Sequence, residues 1–246
     1  MNLCLDFGNT FCKAALFDSH NRLSQAFRFS KEELLQSVED ILTEFGPKNV
    51  IISSVINYDN RLESMLQHHC EKVVVLNAET PLPFINAYAK PEQLGTDRLA
   101  LVAGAIKDFP GRNALVISIG TAITYNFVTQ SGFFRGGAIS PGPRLRFESL
   151  HTQTDKLPLL ELDEMGYAPI LGYDTFSSIK SGVINGIVGE IEHFITDYRK
   201  DFNDLVVIVT GGYLPVFENK IKSQIFADPK ILFKGLNLIL NHNAQK

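Results

Sequence analysis

The sequence predicts an α/β fold made of two similar halves, and three observations carry that reading. First, Leu3-Cys4-Leu5-Asp6-Phe7-Gly8-Asn9-Thr10-Phe11-Cys12-Lys13 reads as a strand, a Gly turn with a hydroxyl residue, and a second strand. Leu115-Val116-Ile117-Ser118-Ile119-Gly120-Thr121-Ala122-Ile123-Thr124 repeats that shape about a hundred residues later, with Ser118 at the place of Asp6 and Gly120 at that of Gly8. Second, each half runs from neighbouring strands into alternating helices and strands. Third, Ile179, Val183, Ile187, Ile191 and Ile195 recur every four residues, the slowly drifting stripe of a long helix laid on a core. Two such halves predict two phosphate-binding turns presented to a shared cleft.

The elements follow in order. Strands are expected at about 2–7, 11–17 and 22–29, with turns at Gly8-Asn9 and His20-Asn21. Ser30 with Glu33 three residues later is a capping box for a helix to about Phe45, which Gly46-Pro47 stops. Val50 to Val55 reads as a buried strand, about 59–69 as a helix and Val73 to Leu76 as a short strand. A proline-bearing loop (77–94) leads to a helix at about 96–108, ended by Pro110-Gly111. A domain boundary there divides the chain into 1–111 and 112–246. Strands near 114–119, 122–129 and 132–139 open the second half, followed by a Pro141-Gly142-Pro143 turn, a short helix and an irregular stretch to about Tyr173. The long helix covers about 174–199, then Leu205 to Thr210 is a buried strand running into Gly211-Gly212. A short helix, a strand at 231–233 and a last helix finish the series.

Composition narrows the function. A chain of 246 residues, 45% hydrophobic and 20% charged, can bury a sizeable core as an ordinary globular protein. Its net charge of −4 argues against general nucleic-acid binding, though local amide groups suffice for a small anion. No apolar run approaches the ~20 residues that span a bilayer, and the N-terminus lacks the basic region of a signal peptide, so no membrane partner is expected. Cys4, Cys12 and Cys70 form no CxxC pair, which suits a reduced, cytoplasmic protein. His68-His69-Cys70 reads as a polar helix end rather than a metal cluster, since adjacent helical residues diverge.

Two constellations can do chemistry. In Asp6-Phe7-Gly8-Asn9-Thr10, a carboxylate at a strand end can hold hydrated Mg²⁺, while turn N–H groups and the Thr10 hydroxyl face phosphate oxygens and Lys13 adds a positive charge. The same residues also suit a plain hairpin turn, and it is the echo at Gly120-Thr121 that favours a phosphate clamp. In Tyr88-Ala89-Lys90-Pro91-Glu92-Gln93-Leu94-Gly95-Thr96-Asp97-Arg98, Thr96 suits a helix cap and Asp97 a first turn. The alternative makes Asp97 a base that orients a substrate hydroxyl for attack on a phosphoryl group, with Arg98 on a polar substrate group. Gly136-Gly137 and Thr210-Gly211-Gly212 serve either close ligand approach or tight corners.

Taken together, DFGNT at 6–10, LGTDR at 94–98, IGTAIT at 119–124, GGAISPG at 136–142, KLP at 156–158, DT at 174–175 and TGG at 210–212 resemble type III pantothenate kinases. That family is part of the actin, sugar kinase and heat-shock ATPase superfamily. The resemblance implies two ribonuclease-H-like α/β domains in tandem with a nucleotide cleft between them. It implies transfer of the ATP γ-phosphate to the primary hydroxyl of pantothenate, the opening step of coenzyme A synthesis, with Mg²⁺ accompanying ATP. By matching positions, Asp97 is the proton acceptor. Asp6, Phe7, Gly8, Asn9, Thr10, Phe11, Cys12 and Lys13 form the ATP phosphate loop, with Asp6 near Mg²⁺, and Thr121 also contacts ATP. Tyr88, Gly95, Thr96, Asp97, Arg98 and Thr175 line the pantothenate site. The equivalent of Thr175 reaches across a dimer interface in the family, so a homodimer built on the 174–199 helix is expected.

One position departs from the family pattern. Where relatives carry an Asp that helps hold an activating K⁺ or NH₄⁺, this chain has Ser118. An oxygen ligand remains but its charge is gone, and a unit charge pair at about 4 Å is worth about 4 kcal/mol at an effective dielectric near 20. Weakened or absent K⁺ dependence is therefore expected, with catalysis retained through Asp6 and Asp97. The altered serine also leaves room for a non-catalytic nucleotide-binding relative, and the fold for a sugar or acetate kinase.

Overall fold

In the computed structural model, which describes residues 1–162 and 167–244, the apolar runs become strands and the amphipathic stretches helices. β1 (Asn2–Phe7), β2 (Cys12–Phe17) and β3 (Leu23–Phe29) form an antiparallel meander. Asn21, in the turn before β3, adopts a φ of 59°, a left-handed conformation that asparagine tolerates. Ser30 and Glu33 exchange the expected reciprocal bonds, but regular helix begins only at α1 (Leu34–Phe45). Gly46 ends it in the left-handed conformation. Then come β4 (Asn49–Ser54), α2 (Arg61–His69) and β5 (Lys72–Val75). The loop expected over 77–94 contains a two-residue strand, β6 (Ile85–Asn86), and a 3₁₀ turn at Pro91–Gln93 before α3 (Thr96–Asp108).

β7 (Ala114–Ile119) and β8 (Ala122–Val128) form the second hairpin. The single strand expected over 132–139 is two, β9 (Phe133–Gly136) and β10 (Ile139–Pro141). Gly136 and Gly137 break it with φ of 94° and 148°, and a Cβ on Gly137 would lie 1.9 Å from the Tyr125 carbonyl oxygen. α4 (Pro143–Thr152), α5 (Thr175–Asp201), β11 (Val206–Thr210) and α6 (Leu214–Phe217) follow. The strand expected at 231–233 is not one: the strand is β12 (Phe226–Ala227), and Ile231 starts α7 (Ile231–Ala244). A three-residue apolar run carries no period of its own; Leu236, Ile239 and Leu240, all fully buried, continue Ile231 at helical spacing.

Contacts gather the chain into two compact units. One is Met1–Pro110 with Gly132–Arg135 and the segment from Lys230; the other is Gly111–Ser131 with Gly136–Pro229. A single cut at 111/112 therefore misplaces α7, which packs on α3 through small residues. A Cβ on Gly235 would lie 1.8 Å from the Ala100 carbonyl oxygen, and one on Gly104 would lie 2.2 Å from that of Ile231.

In the first unit the sheet order is β3-β2-β1-β4-β5, with β1, β4 and β5 parallel. Leu3, Leu5, Phe7, Cys12, Ala14 and Leu16 pack against α1 and α2. Period-two alternation turns Asp6, Lys13 and Ser53 to the other face, where α3 and α7 lie. At the opposite end of β1 the Asn2 side chain bonds Asn49, Asn237 and Asn241, and Asn21 accepts from the last two, tying α7 to the meander.

The second unit repeats the scheme. β7 is antiparallel to β8 and parallel to β11, which is parallel to β12. This matches β2-β1-β4-β5 strand for strand. The α5 stripe Ile179, Val183, Ile187, Ile191 and Ile195 is buried against Leu115, Ile117, Phe127, Val207 and Val209. Among the described residues, no helix is long and apolar enough to cross a membrane.

Candidate active site

Asp6 is placed by strand pairing. It lies one residue before the end of β1, opposite Lys13 on β2 and Ser53 on β4. The residue remains partly accessible, yet protein encloses its carboxyl group and burial raises its pKa to about 7. Lys13 opposes that rise and the nearby charge of Asp97 adds to it. The turn beyond is closed by the Gly8 N–H on the Phe11 carbonyl at 3.1 Å, and a Cβ on Gly8 would press that oxygen at 3.2 Å. Asn9 and Thr10 are exposed at its tip. Phe11 is also exposed and carries the Arg28 guanidinium 3.5 Å over its ring. Phe7 and Cys12 differ from the rest of the expected loop. Both side chains are fully buried in the core, so only their backbone can meet a ligand.

Asp97 stands in the first turn of α3. Burial raises its pKa, opposed by the backbone N–H and charge of Arg98. Gly95 precedes the helix, and a Cβ there would lie 2.5 Å from Asp97 Oδ1, the movable end of that side chain. Thr96 is not a cap, since Gly95 holds that position. The Thr96 hydroxyl instead shares a 3.0 Å hydrogen bond with Ser53 and donates to the Ser54 carbonyl at 3.3 Å, riveting the start of α3 to the end of β4. Arg98 is buried, with its guanidinium 5.6 Å from the Tyr88 ring and 5.7 Å from that of Phe134. The two rings stack at 6.1 Å, so Tyr88 is held where the β6–β9 pairing puts it. Asp6, Lys13, Asp97, Arg98 and Tyr88 thus belong to one unit.

Ser118, Thr121 and Thr175 belong to the other. Ser118 is partly buried and pairs in register with Thr124 on β8 and Thr210 on β11, so three hydroxyl residues stand in a row. The Gly120–Thr121 turn is held by backbone from two sides. Gly142 donates its N–H to the Thr121 carbonyl at 3.0 Å, with no room for a Cβ, which would lie 2.1 Å from the Gly120 oxygen. Gly211, at φ 105°, leaves 2.4 Å between a would-be Cβ and the Ile119 oxygen. In the GGAISPG and TGG segments it is Gly142 and Gly211 that this turn requires, whereas Gly137 makes way for the Tyr125 carbonyl. Thr175 opens α5 at an exposed position beside the Asp174–Ser177 capping box, whose N–H to carboxylate bond is 2.7 Å.

Sequence reasoning missed Ser53. A serine inside an apolar strand gives no periodic signal, and only the register reveals it between Asp6 and Thr96. At His68-His69-Cys70, His69 Nδ1 bonds the Met65 carbonyl and the Cys70 thiol donates to that of Pro47.

Two hydroxyl-rich glycine turns thus stand on matching strands of the two units, the first beside the Asp6 carboxylate. The sequence model of type III pantothenate kinase matches residues 2–197. The chain belongs to the type III pantothenate kinase family. The relative of that name from Christiangramia forsetii is 42% identical over 245 residues, with 99% of each chain covered. The one from Bacteroides fragilis is 40% identical over 243 residues, covering 99% of this chain and 98% of that one. Among solved structures, the activator of 2-hydroxyisocaproyl-CoA dehydratase from Clostridium difficile superposes with a TM-score of 0.57 at 12% identity, covering 99% of this chain and 95% of that one. A ROK family glucokinase from Streptomyces griseus gives 0.55 at 12%, covering 100% and 99%. These last two show the fold alone, a mixed α/β fold that spans nearly the whole chain. With the strand scheme repeated in the two units, it bears out the two ribonuclease-H-like α/β domains that the resemblance implies and the two similar halves that the duplicated turns predict.

Proposed function

We propose that this chain catalyses ATP-dependent phosphorylation of pantothenate to 4′-phosphopantothenate, the first step of coenzyme A biosynthesis, and that Asp97 is its base. The observation that carries the residue assignment is geometric: Thr96, next to Asp97, shares a hydrogen bond with Ser53, which pairs in register with Asp6. Family membership supplies the substrates. Asp97 accepts a hydrogen bond from the primary hydroxyl of pantothenate and takes its proton as that oxygen attacks the γ-phosphorus. The bond from phosphorus to the bridging oxygen breaks, and ADP leaves. Arg98, locked over Tyr88 and Phe134, together with Gly95 and Thr96 shapes the acceptor site.

The loop Asp6 to Lys13 receives the ATP phosphates through its turn N–H groups, the Thr10 hydroxyl and the Lys13 ammonium, and Thr121 adds a second contact. Mg²⁺ asks for one or two carboxylates with phosphate oxygens and water making up the rest, and Asp6 offers that donor. When bound, the ion neutralises charge on the transferring phosphoryl group. In this reading residues 1–111 act as the acceptor and phosphate-loop domain and 112–246 as the domain of the second turn, with α7 returned to the first.

Ser118, Thr124 and Thr210 present neutral oxygens, which suit a weakly held K⁺ or NH₄⁺ better than a tightly bound one. A homodimer is supported by exposed apolar side chains around the start of α5. Ile170, Leu171 and Tyr173 are 86%, 80% and 85% exposed, with Tyr167 and Phe176 beside them. Thr175, also exposed, follows Tyr173 and precedes Phe176, and in this reading it completes the partner's acceptor site. A cytoplasmic location belongs to the same reading.

The test is ADP release by the purified protein with ATP, Mg²⁺ and pantothenate, with Asp97→Ala alongside. Pantothenate-dependent release, lowered about 10²–10⁴-fold by the substitution, is expected. A folded protein that binds nucleotide but never turns over pantothenate overturns the reading.

A further inference from the structure

Glu190, on α5, gathers hydrogen bonds from three other elements. Its carboxylate accepts from the Tyr125 hydroxyl on β8 at 2.8 Å, from the Ser140 hydroxyl on β10, and from the Arg146 guanidinium on α4. The Arg146 and Glu190 side chains are 21% and 23% exposed, so the ion pair is largely shielded from water. Burial alone would raise the Glu190 pKa, but the three donors outweigh it and hold the carboxyl below its ordinary range. Burial and the same carboxylate keep the Tyr125 hydroxyl protonated as a donor.

Arg146 does a second thing. Its Nε donates to the Pro141 carbonyl at 2.8 Å. The next residue, Gly142, carries its N–H to the Thr121 carbonyl at 3.0 Å and lies too close to Gly120 and Thr121 for any side chain. An unbroken series of contacts thus runs from Glu190 through Arg146, Pro141 and Gly142 to the second glycine turn. A half-buried ion pair adds little net stability over apolar side chains of equal size, but it selects one geometry, here that of the turn's backbone support.

This inference rests on the kinase reading, which gives the Gly120–Thr121 turn to ATP. We infer that Glu190 is a positioning residue for the nucleotide: it fixes Arg146, which holds Pro141 and Gly142 against the turn. Neither Glu190 nor Arg146 touches substrate in this account.

Two variants separate the role from simple bracing. Glu190→Gln keeps an acceptor for Tyr125 and Ser140 but loses the charge that anchors Arg146. Arg146→Lys keeps a cation for Glu190 but lacks the second N–H that reaches Pro141. Binding of a non-hydrolysable ATP analogue with Mg²⁺ is measured by calorimetry, and KM for each substrate by steady-state kinetics. Both variants are expected to weaken analogue binding and raise the KM for ATP about tenfold while the KM for pantothenate stays within about twofold. The double variant is expected to be no worse than the worse single one, since both cut the same series of contacts. Wild-type analogue affinity in Arg146→Lys, or a parallel rise in both KM values, overturns the inference. A wild-type chain that binds the analogue but leaves pantothenate untouched refutes the kinase reading alone, and the binding comparison still decides the role of Glu190. A wild-type chain that binds no nucleotide refutes both.

Discussion

Gly95 and Asp97 compete for the same space: a methyl group on the glycine would stand 2.5 Å from the aspartate's Oδ1. The obstacle is the free end of a side chain, so Gly95→Ala is expected to fold with a melting temperature near wild type while pushing the carboxyl aside. A displacement of about 1 Å at a reacting group costs on the order of 10²-fold in rate. The variant is therefore expected to lose most of its kcat, and a kcat within about twofold of wild type would remove Asp97 Oδ1 from the chemistry.

Asp6 makes both stability and ligand binding depend on pH. Its pKa is about 7 in the fold and about 4 in an unfolded chain, so between those values the folded protein keeps a proton that the unfolded one gives up. Stability is thus greatest below about pH 4 from this group and falls as pH rises towards 7, with Asp97 acting in the same direction. Asp6→Asn is expected to melt higher than wild type at pH 8 and to converge with it in acid. In the proposed reading Mg²⁺-nucleotide takes the ionised Asp6 carboxylate, so binding near pH 6.5 is expected to release a proton. Calorimetry in buffers of different ionisation enthalpy should register that proton in wild type and not in Asp6→Asn. Equal proton release in both proteins would show that the ion is held elsewhere.

The row Ser118, Thr124, Thr210 carries no formal charge. Rates in K⁺, in Na⁺ and in a bulky organic cation are expected to differ little for the wild-type protein. Ser118→Asp places a carboxylate among these hydroxyls and, if they form the proposed cation site, is expected to make the rate rise steeply with K⁺. A steep K⁺ requirement in the unaltered chain would count against the argument, because neutral oxygens would then suffice.

The apolar patch at the start of α5 makes a prediction about assembly. Leu171→Glu combined with Tyr173→Glu places two charges where both residues are now at least 80% exposed, so the isolated fold should tolerate them. Sedimentation is expected to show a dimer for wild type and a monomer for the variant, with pantothenate turnover lost alongside because Thr175 no longer meets a partner. A monomeric wild type with full activity would refute the shared site.

How much of this was legible beforehand varied with the kind of signal. The β1–β2 and β7–β8 hairpins declare themselves through a Gly turn between apolar runs, and the α5 stripe through its spacing; these are local patterns. The approach of Gly142 to Thr121 is also signalled by a glycine, but what it approaches is set by a partner distant in the chain. Ser53 left no trace, because its role exists only once β4 pairs with β1. The Gly136-Gly137 break was hidden inside an alternation that looked like one continuous strand. At Ile231 a run of three apolar residues fits strand and helix alike, and only the helix's fit against α3 decides. Thr96 misled for another reason: a threonine before an acidic residue suits a helix cap, yet tertiary contacts claimed its hydroxyl.

The glycine crossing of α7 on α3 has a consequence for how the chain is made. The first unit lacks a wall until the segment after Pro229 exists, although its sheet is complete by Val75. At about 5–20 residues per second, the ~120 residues separating Pro110 from Lys230 keep the ribosome busy for on the order of ten seconds. Throughout that interval the Ala100–Gly104 face of α3 has no helix to receive it, and a nascent chain halted before Lys230 is expected to be cut by protease within α3. The protein is thus translated in one order and closed in another, its second unit finished while its first still waits for the last helix.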